Sequence, residues 1–175
     1  MTARRDLDVR VATDLDIDRI AEIRTRGWQA AYCGILPDEM LDALDVTVEA
    51  DRWRGFFPQF ESNGSTMFVA TDDDVVVGFA LVSRRADDAD VDDGVGVLRA
   101  IYVHPDRYST GAGHALLSAV VDRLTGAGCA AAVLWTFEAN DRARRFYEAH
   151  GWSADGATER HFDAPSVRYR IELAL

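Results

Sequence analysis

The chain has 175 residues, 48% hydrophobic and 28% charged, with 30 acidic against 19 basic side chains and a formal net charge of −11. That length buries a sizeable core without metal or disulfide staples, and the composition is that of a globular protein. The charge speaks against nucleic acid, whose phosphates it would repel, and no apolar run reaches the ~20 residues of a membrane-spanning helix.

In chain order, Val9–Thr13 alternates as a short first strand. Asp14 can cap a helix to about Tyr32, with Leu15, Ile20, Ile23 and Trp28 as buried candidates. Gly34-Ile35-Leu36-Pro37 breaks it, and a second helical region runs from Pro37 to Phe57, interrupted near Asp45. Thr66–Thr71 reads as a strand, Asp72-Asp73-Asp74 as a turn, and Val75–Val82 as the returning hairpin strand. The run Asp87–Gly94 approaches a calcium loop, but Asp93 stands where glycine is needed and no glutamate closes the ligand set. It therefore reads as a solvated loop, and no metal is expected. Val95–Val103 is a strand, and Ala112–Thr125 an amphipathic helix burying Leu116, Leu117, Val120, Val121 and Leu124. Ala131–Trp135 is a continuously apolar strand, as at a sheet centre covered on both faces. A helix follows Asn140, and Trp152–Ala157 with Ser166–Leu173 forms a final hairpin. With no linker or repeat, one domain over 1–175 is expected.

Cys33 and Cys129 fit no metal spacing and read as reduced thiols of a cytoplasmic protein. Arg4-Arg5 runs straight into Asp6-Leu7-Asp8, so it is no twin-arginine signal. The absence of lysine suits either a GC-rich genome or a surface adapted to salt.

The most informative segment is Leu98–Pro105 followed by Gly111-Ala112-Gly113. It places two glycines between a buried strand and a helix. There the backbone can approach a ligand closely, and the helix start offers unpaired N–H groups and a partial positive charge, an anion site suited to a pyrophosphate. A dinucleotide fingerprint needs a third glycine where Leu116 stands, and an acidic residue after the next strand, where Thr136 and Phe137 follow. A P-loop needs a lysine. A coenzyme A cradle remains.

Here the chain resembles the GNAT N-acetyltransferase superfamily. The pattern Arg/Gln-x-x-G-x-G/A falls on Tyr108-Ser109-Thr110-Gly111-Ala112-Gly113, with Tyr108 replacing the usual cation or amide; Arg107 is its neighbour. A second pattern, N-x-x-A-x-x-F-Y-x-x-x-G-F/W, falls on Asn140 through Trp152. In it Asn140 is an N-cap, Ala143, Phe146 and Tyr147 share a helix face, and Gly151 is a stop. The resemblance covers most of the chain. It implies an α/β (α+β) GNAT fold: a mixed, twisted sheet of about seven strands, splayed between the fourth and fifth, flanked by about four helices.

It further implies an acetyl-CoA-dependent transfer of acetyl to a primary amine by direct attack. Ile101, Tyr102 and Val103 would meet the pantetheine arm. Tyr108, Ser109, Thr110, Gly111, Ala112, Gly113 and His114 would meet the phosphates, and Asn140 the arm again. Because Tyr108 brings no charge, backbone N–H groups should carry most of the pyrophosphate binding. Arg142, Arg144 and Arg145 are candidates for the adenine-side phosphates, or simply a solvated face. Tyr147 would protonate the leaving thiolate. The usual glutamate base position is Val97, so the base is open among Glu138, His104, Glu22 and water. Trp28, Tyr32, Trp53 and Phe57 are candidates for the acceptor cleft or for core. The acceptor is a small or peptide amine, and the acidic balance favours a cationic one. A homodimer stays open. The alternative is a non-catalytic acyl-CoA-binding or ligand-sensing domain, motivated by Tyr108 and Val97.

Overall fold

The computed structural model describes residues 7–174; residues 1–6, with the Arg4-Arg5 pair, and residue 175 lie outside the described residues. The strands are β1 (Leu7–Val11), β2 (Ser65–Asp72), β3 (Val75–Ser83), β4 (Val95–Val103), β5 (Ala131–Phe137), β6 (Ser153–His161) and β7 (Ala164–Glu172). The helices are α1 (Ile17–Ala31), α2 (Asp38–Asp42), α3 (Val46–Phe56), α4 (Ala112–Gly126) and α5 (Asp141–Ala149). One mixed sheet has the order β1-β2-β3-β4-β5-β7-β6, antiparallel except between β4 and β5.

The parallel pair decides the architecture. β4 and β5 are in register only over Val95↔Ala131, Gly96↔Ala132 and Val97↔Val133. Beyond that point β4 stays bonded to β3 and β5 to β7, so the two strands part. The register of β3 against β4 jumps from Leu81↔Ala100 to Val82↔Leu98, which leaves Arg99 as an extra residue. Such a bulge bends its strand and strengthens its twist, which accounts for the parting where it occurs. The edges facing the gap, from Leu98 and from Leu134 onward, keep main-chain groups that no neighbouring strand pairs.

Each face of the sheet is covered. α4 lays Leu116, Leu117, Val120 and Leu124 against Val77, Ala80, Val82 and Leu98, and the same cluster includes Tyr147, Trp152 and Tyr169. α1 covers the other face with Ile20 and Ile23 against Val69, Phe79 and Leu81. Burying side chains of this size is worth about 1.5–3 kcal/mol each. α1 reaches the sheet closely at Gly27, where a Cβ would lie 3.2 Å from the Tyr102 ring.

Three expectations change. Leu15 is 89% exposed, because Asp14–Asp16 is a 3-10 turn whose three-residue period carries Leu15 off the buried face of α1. The first strand ends at Val11, since Thr13 N–H is taken by Asp16 Oδ2 at 2.8 Å. The final hairpin is longer than its apolar pattern suggests. β6 is an edge strand with polar side chains on both faces, and it turns in two residues, Phe162-Asp163, both with positive φ.

Candidate active site

The gap between β4 and β5 opens into a cavity of about 630 Å³. Its walls are the parted strand segments, the C-terminal end of α1, the start of α4 and the inner face of α5. The structure gathers Ile101, Tyr102, Val103, Tyr108, Ser109, Gly111, Ala112, Gly113, His114, Asn140 and Tyr147 around it. Thr110 is not on the wall; its hydroxyl donates to the Arg107 carbonyl at 2.8 Å and closes the turn before the glycines.

The anion end is built from backbone. Gly111 sits at φ +95°, a conformation that glycine tolerates and a β-branched residue does not, and it starts α4. The first N–H groups of α4 have no partner within the helix and point along its axis toward the cavity mouth. His114, in the first turn, is fixed from α5. His150 Nδ1–H donates to the Phe146 carbonyl at 2.7 Å, which leaves His150 Nε2 to accept from His114 Nδ1–H at 2.8 Å. Arg107 lies on the wall but is held by buried Asp72 at 2.6 Å. Arg142 of α5 rests on the Tyr108 ring, with its Cζ 3.5 Å from the ring centroid. Burial raises the Tyr108 phenol, while Arg142 pulls it down.

The inner end is aromatic. Asn140 caps α5 by accepting from Ala143 N–H at 3.2 Å, and this orients Phe146 and Tyr147 inward. Tyr147 is buried against Trp152 and Tyr169, and burial, with Tyr102 adding to it, raises its phenol above the ordinary value. Tyr102 accepts from Trp28 Nε1–H at 3.0 Å and shares a 3.0 Å bond with the Tyr32 hydroxyl. Its ring thus belongs to the α1 face, while its main chain lies on the gap.

At the strand fork, Arg99 donates to Ser83 Oγ at 2.7 Å and pairs with Asp87 at 2.8 Å. Trp135 donates to Asp88 Oδ1 at 2.8 Å. Buried Arg168 of β7 holds Asp88, Asp90 and Asp155 at 3.3, 2.8 and 2.7 Å. The acidic loop is therefore strapped onto the sheet beside the fork, and only part of it is solvated. Its partner lies about eighty positions later in the sequence, where no local pattern announces it.

None of the candidate bases reaches the cavity wall. Glu138 is exposed; Glu22 pairs with Arg19 and lies 4.0 Å from His104 Nε2, and His104 accepts from Asp106 N–H in the turn after β4. Val97 is buried where β4 and β5 still pair, among Val95, Ala131 and Val133. Of the possible acceptor aromatics, Tyr32 lines the cavity, Trp28 hydrogen-bonds Tyr102 behind it, and Trp53 and Phe57 pack in the core beneath α3. Arg144 is committed to the Tyr169 hydroxyl and the Glu138 carbonyl, and Arg145 is exposed. Cys33 and Cys129 are both free thiols.

Comparison with known proteins agrees with this geometry. The acetyltransferase (GNAT) family matches residues 19–152. YuaI, an uncharacterized N-acetyltransferase of Bacillus subtilis, is 30% identical over 163 residues, covering 93% of this chain and 88% of that one. An uncharacterized N-acetyltransferase of Mycobacterium tuberculosis is 27% identical over 142 residues, 81% of this chain and 85% of its own. Among solved structures, the PaiA N-acetyltransferase of Thermoplasma acidophilum in complex with coenzyme A superposes with a TM-score of 0.78 at 16% identity, over 95% of this chain and 99% of that one. YncA of Salmonella typhimurium, with its cofactor acetyl-CoA, gives 0.71 at 19% identity, over 96% and 94%. The split sheet, the glycine-started helix and these matches together place the chain in the GNAT family of acetyltransferases.

Proposed function

We propose that the chain transfers acetyl from acetyl-CoA to a primary amine by direct attack in a ternary complex. The observation that carries this reading is the continuity of one cavity from the glycine-started helix, along unpaired β4 main chain, to a buried tyrosine. The residues fit the co-substrate by chemistry. Helix N–H groups suit a pyrophosphate. The free edge of β4 over Ile101–Val103 suits the amides of a pantetheine arm laid in as an extra strand. When bound, acetyl-CoA supplies an acyl carbon activated by sulfur.

The side chains then divide the work. Main-chain N–H groups near Ile101 face charge that develops on the carbonyl oxygen. Tyr147, kept protonated by burial, gives its proton to the departing thiolate as the carbon–sulfur bond breaks and the carbon–nitrogen bond forms. The proton lost by the amine goes to water, and the phenol is restored from solvent. The acceptor enters from the α1 side, near Tyr32 and Trp135. The excess of acid over base on the chain favours a cationic amine.

The lack of a carboxylate among the cavity-lining residues favours the second reading, a domain that binds acyl-CoA without turning it over. A thiol-release assay with acetyl-CoA over a panel of amines separates the two. Acceptor-dependent thiol release is the expected result. Coenzyme A binding without release on any amine would support the second reading.

A further inference from the structure

The anion end of the cavity holds three cationic or cationisable side chains, and they are not equivalent. Arg107 is spent on buried Asp72. His114 is tied through Nδ1 to His150. Arg142 has no carboxylate partner among the described residues; it rests on the face of Tyr108. Among the described residues most other arginines are paired with a carboxylate, from Arg10 with Asp16 to Arg170 with Glu172. A guanidinium left unpaired and laid flat on a ring at a cavity mouth keeps its in-plane N–H donors free, and that fork matches a phosphate.

Position matters as much as freedom. Tyr108 lies three residues before Gly111, at the cavity wall, so Arg142 brings its charge to the place a cation at position 108 would occupy. The ring fixes the guanidinium through the cation–π contact. Tyr108 and Arg142 thus form one device: the loop supplies the seat and α5 supplies the charge.

We infer that Arg142, seated on Tyr108, is the cation that binds the pyrophosphate of coenzyme A in this chain. The inference rests on the proposal that coenzyme A occupies the cavity. It also alters the expectation that backbone N–H groups carry most of that binding.

Calorimetry with coenzyme A and with dephospho-coenzyme A, which lacks the 3′-phosphate, tests it. Arg142→Gln should weaken both ligands equally, by about tenfold, the scale of one partly exposed charge-assisted contact. Tyr108→Ala should do nearly the same by removing the seat, and Tyr108→Phe should not. Tyr108→Arg combined with Arg142→Gln should recover most of the loss. Arg52→Gln, an exposed arginine of α3 away from the cavity wall, controls for general charge and should leave both affinities unchanged; unaltered melting temperatures confirm folding. Equal binding by Arg142→Gln and wild type overturns the inference. So does a loss seen with coenzyme A alone, which would place Arg142 at the 3′-phosphate, and so does failure of the double variant to recover. A wild-type protein that binds neither ligand overturns the proposed function itself, and this inference with it.

Discussion

Tyr147 serves two ends with two parts of one side chain. Its ring packs against Trp152 and Tyr169, while burial of its hydroxyl at the cavity wall, with Tyr102 adding to it, holds the proton on. Tyr147→Phe keeps the ring and removes the proton. It should lower kcat by roughly 10²-fold and leave coenzyme A affinity and melting temperature nearly unchanged; full activity would mean that water protonates the thiolate. The pH profile follows from the same walls. With no carboxylate lining the cavity, kcat/KM should rise into the alkaline range and track the acceptor's own pKa across a series of amines. Because the phenol is raised, no loss of activity from its ionisation is expected below about pH 10. A plateau near pH 6–7, the same for every amine, would reveal a protein base instead. That Tyr147 and Asn140 line the cavity was legible in sequence through the resemblance carried by one short motif. The seat of Arg142 on Tyr108 and the His114–His150 pair were not. Each joins residues more than thirty positions apart, where no periodicity records the contact.

Among the elements, those with a strong period were read correctly and those fixed by a distant partner were not. α4 and β5 follow from their apolar patterns, and α2 and α3 from the break near Asp45, where Asp45 accepts from Val48 N–H at 3.0 Å. The second half of β6, from Thr158 to His161, escaped because an edge strand with polar faces has no alternation to read there. The turn entering α1 shows how a short polar network sets a boundary. Asp16 accepts from Arg10 at 2.7 and 2.8 Å and from Thr13 N–H at 2.8 Å, so β1 stops and the helix begins. The Arg10 hydrogen bond is the main cause that lowers the Asp16 carboxyl below its ordinary value of 3.8, partly opposed by its burial. A carboxyl lowered in the folded state stabilises fully above its unfolded pKa, and loses that contribution as pH falls through the folded value. Asp16→Asn should therefore cost about 1–2 kcal/mol at pH 7, and denaturant curves of variant and wild type should converge as pH falls through the lowered value of the carboxyl. A gap that persists unchanged into acid would assign the effect to packing rather than charge.

At the scale of the whole molecule, the strand order and the fork could be anticipated from resemblance, whereas the charge map could not. A net charge of −11 describes the surface as a distant ion feels it. Within a few ångströms of the cavity mouth an anion meets Arg142 and the N-terminus of α4, Arg107 being already paired with Asp72. Which field wins depends on the screening length, about 30 Å at 0.01 M salt, about 10 Å at 0.1 M and about 3 Å at 1 M. At the lowest salt a multiply charged coenzyme A is repelled by acids spread over the molecule. Near 0.1 M that distant repulsion is largely screened, while contacts at the mouth persist. Near 1 M the contacts weaken too. Affinity for coenzyme A, measured by calorimetry across this range, should therefore pass through a maximum around 0.1 M. A steady fall with salt would show that local cations dominate at every distance; a steady rise would show that the cavity cations contribute nothing, and the seat of Arg142 on Tyr108 would lose its purpose.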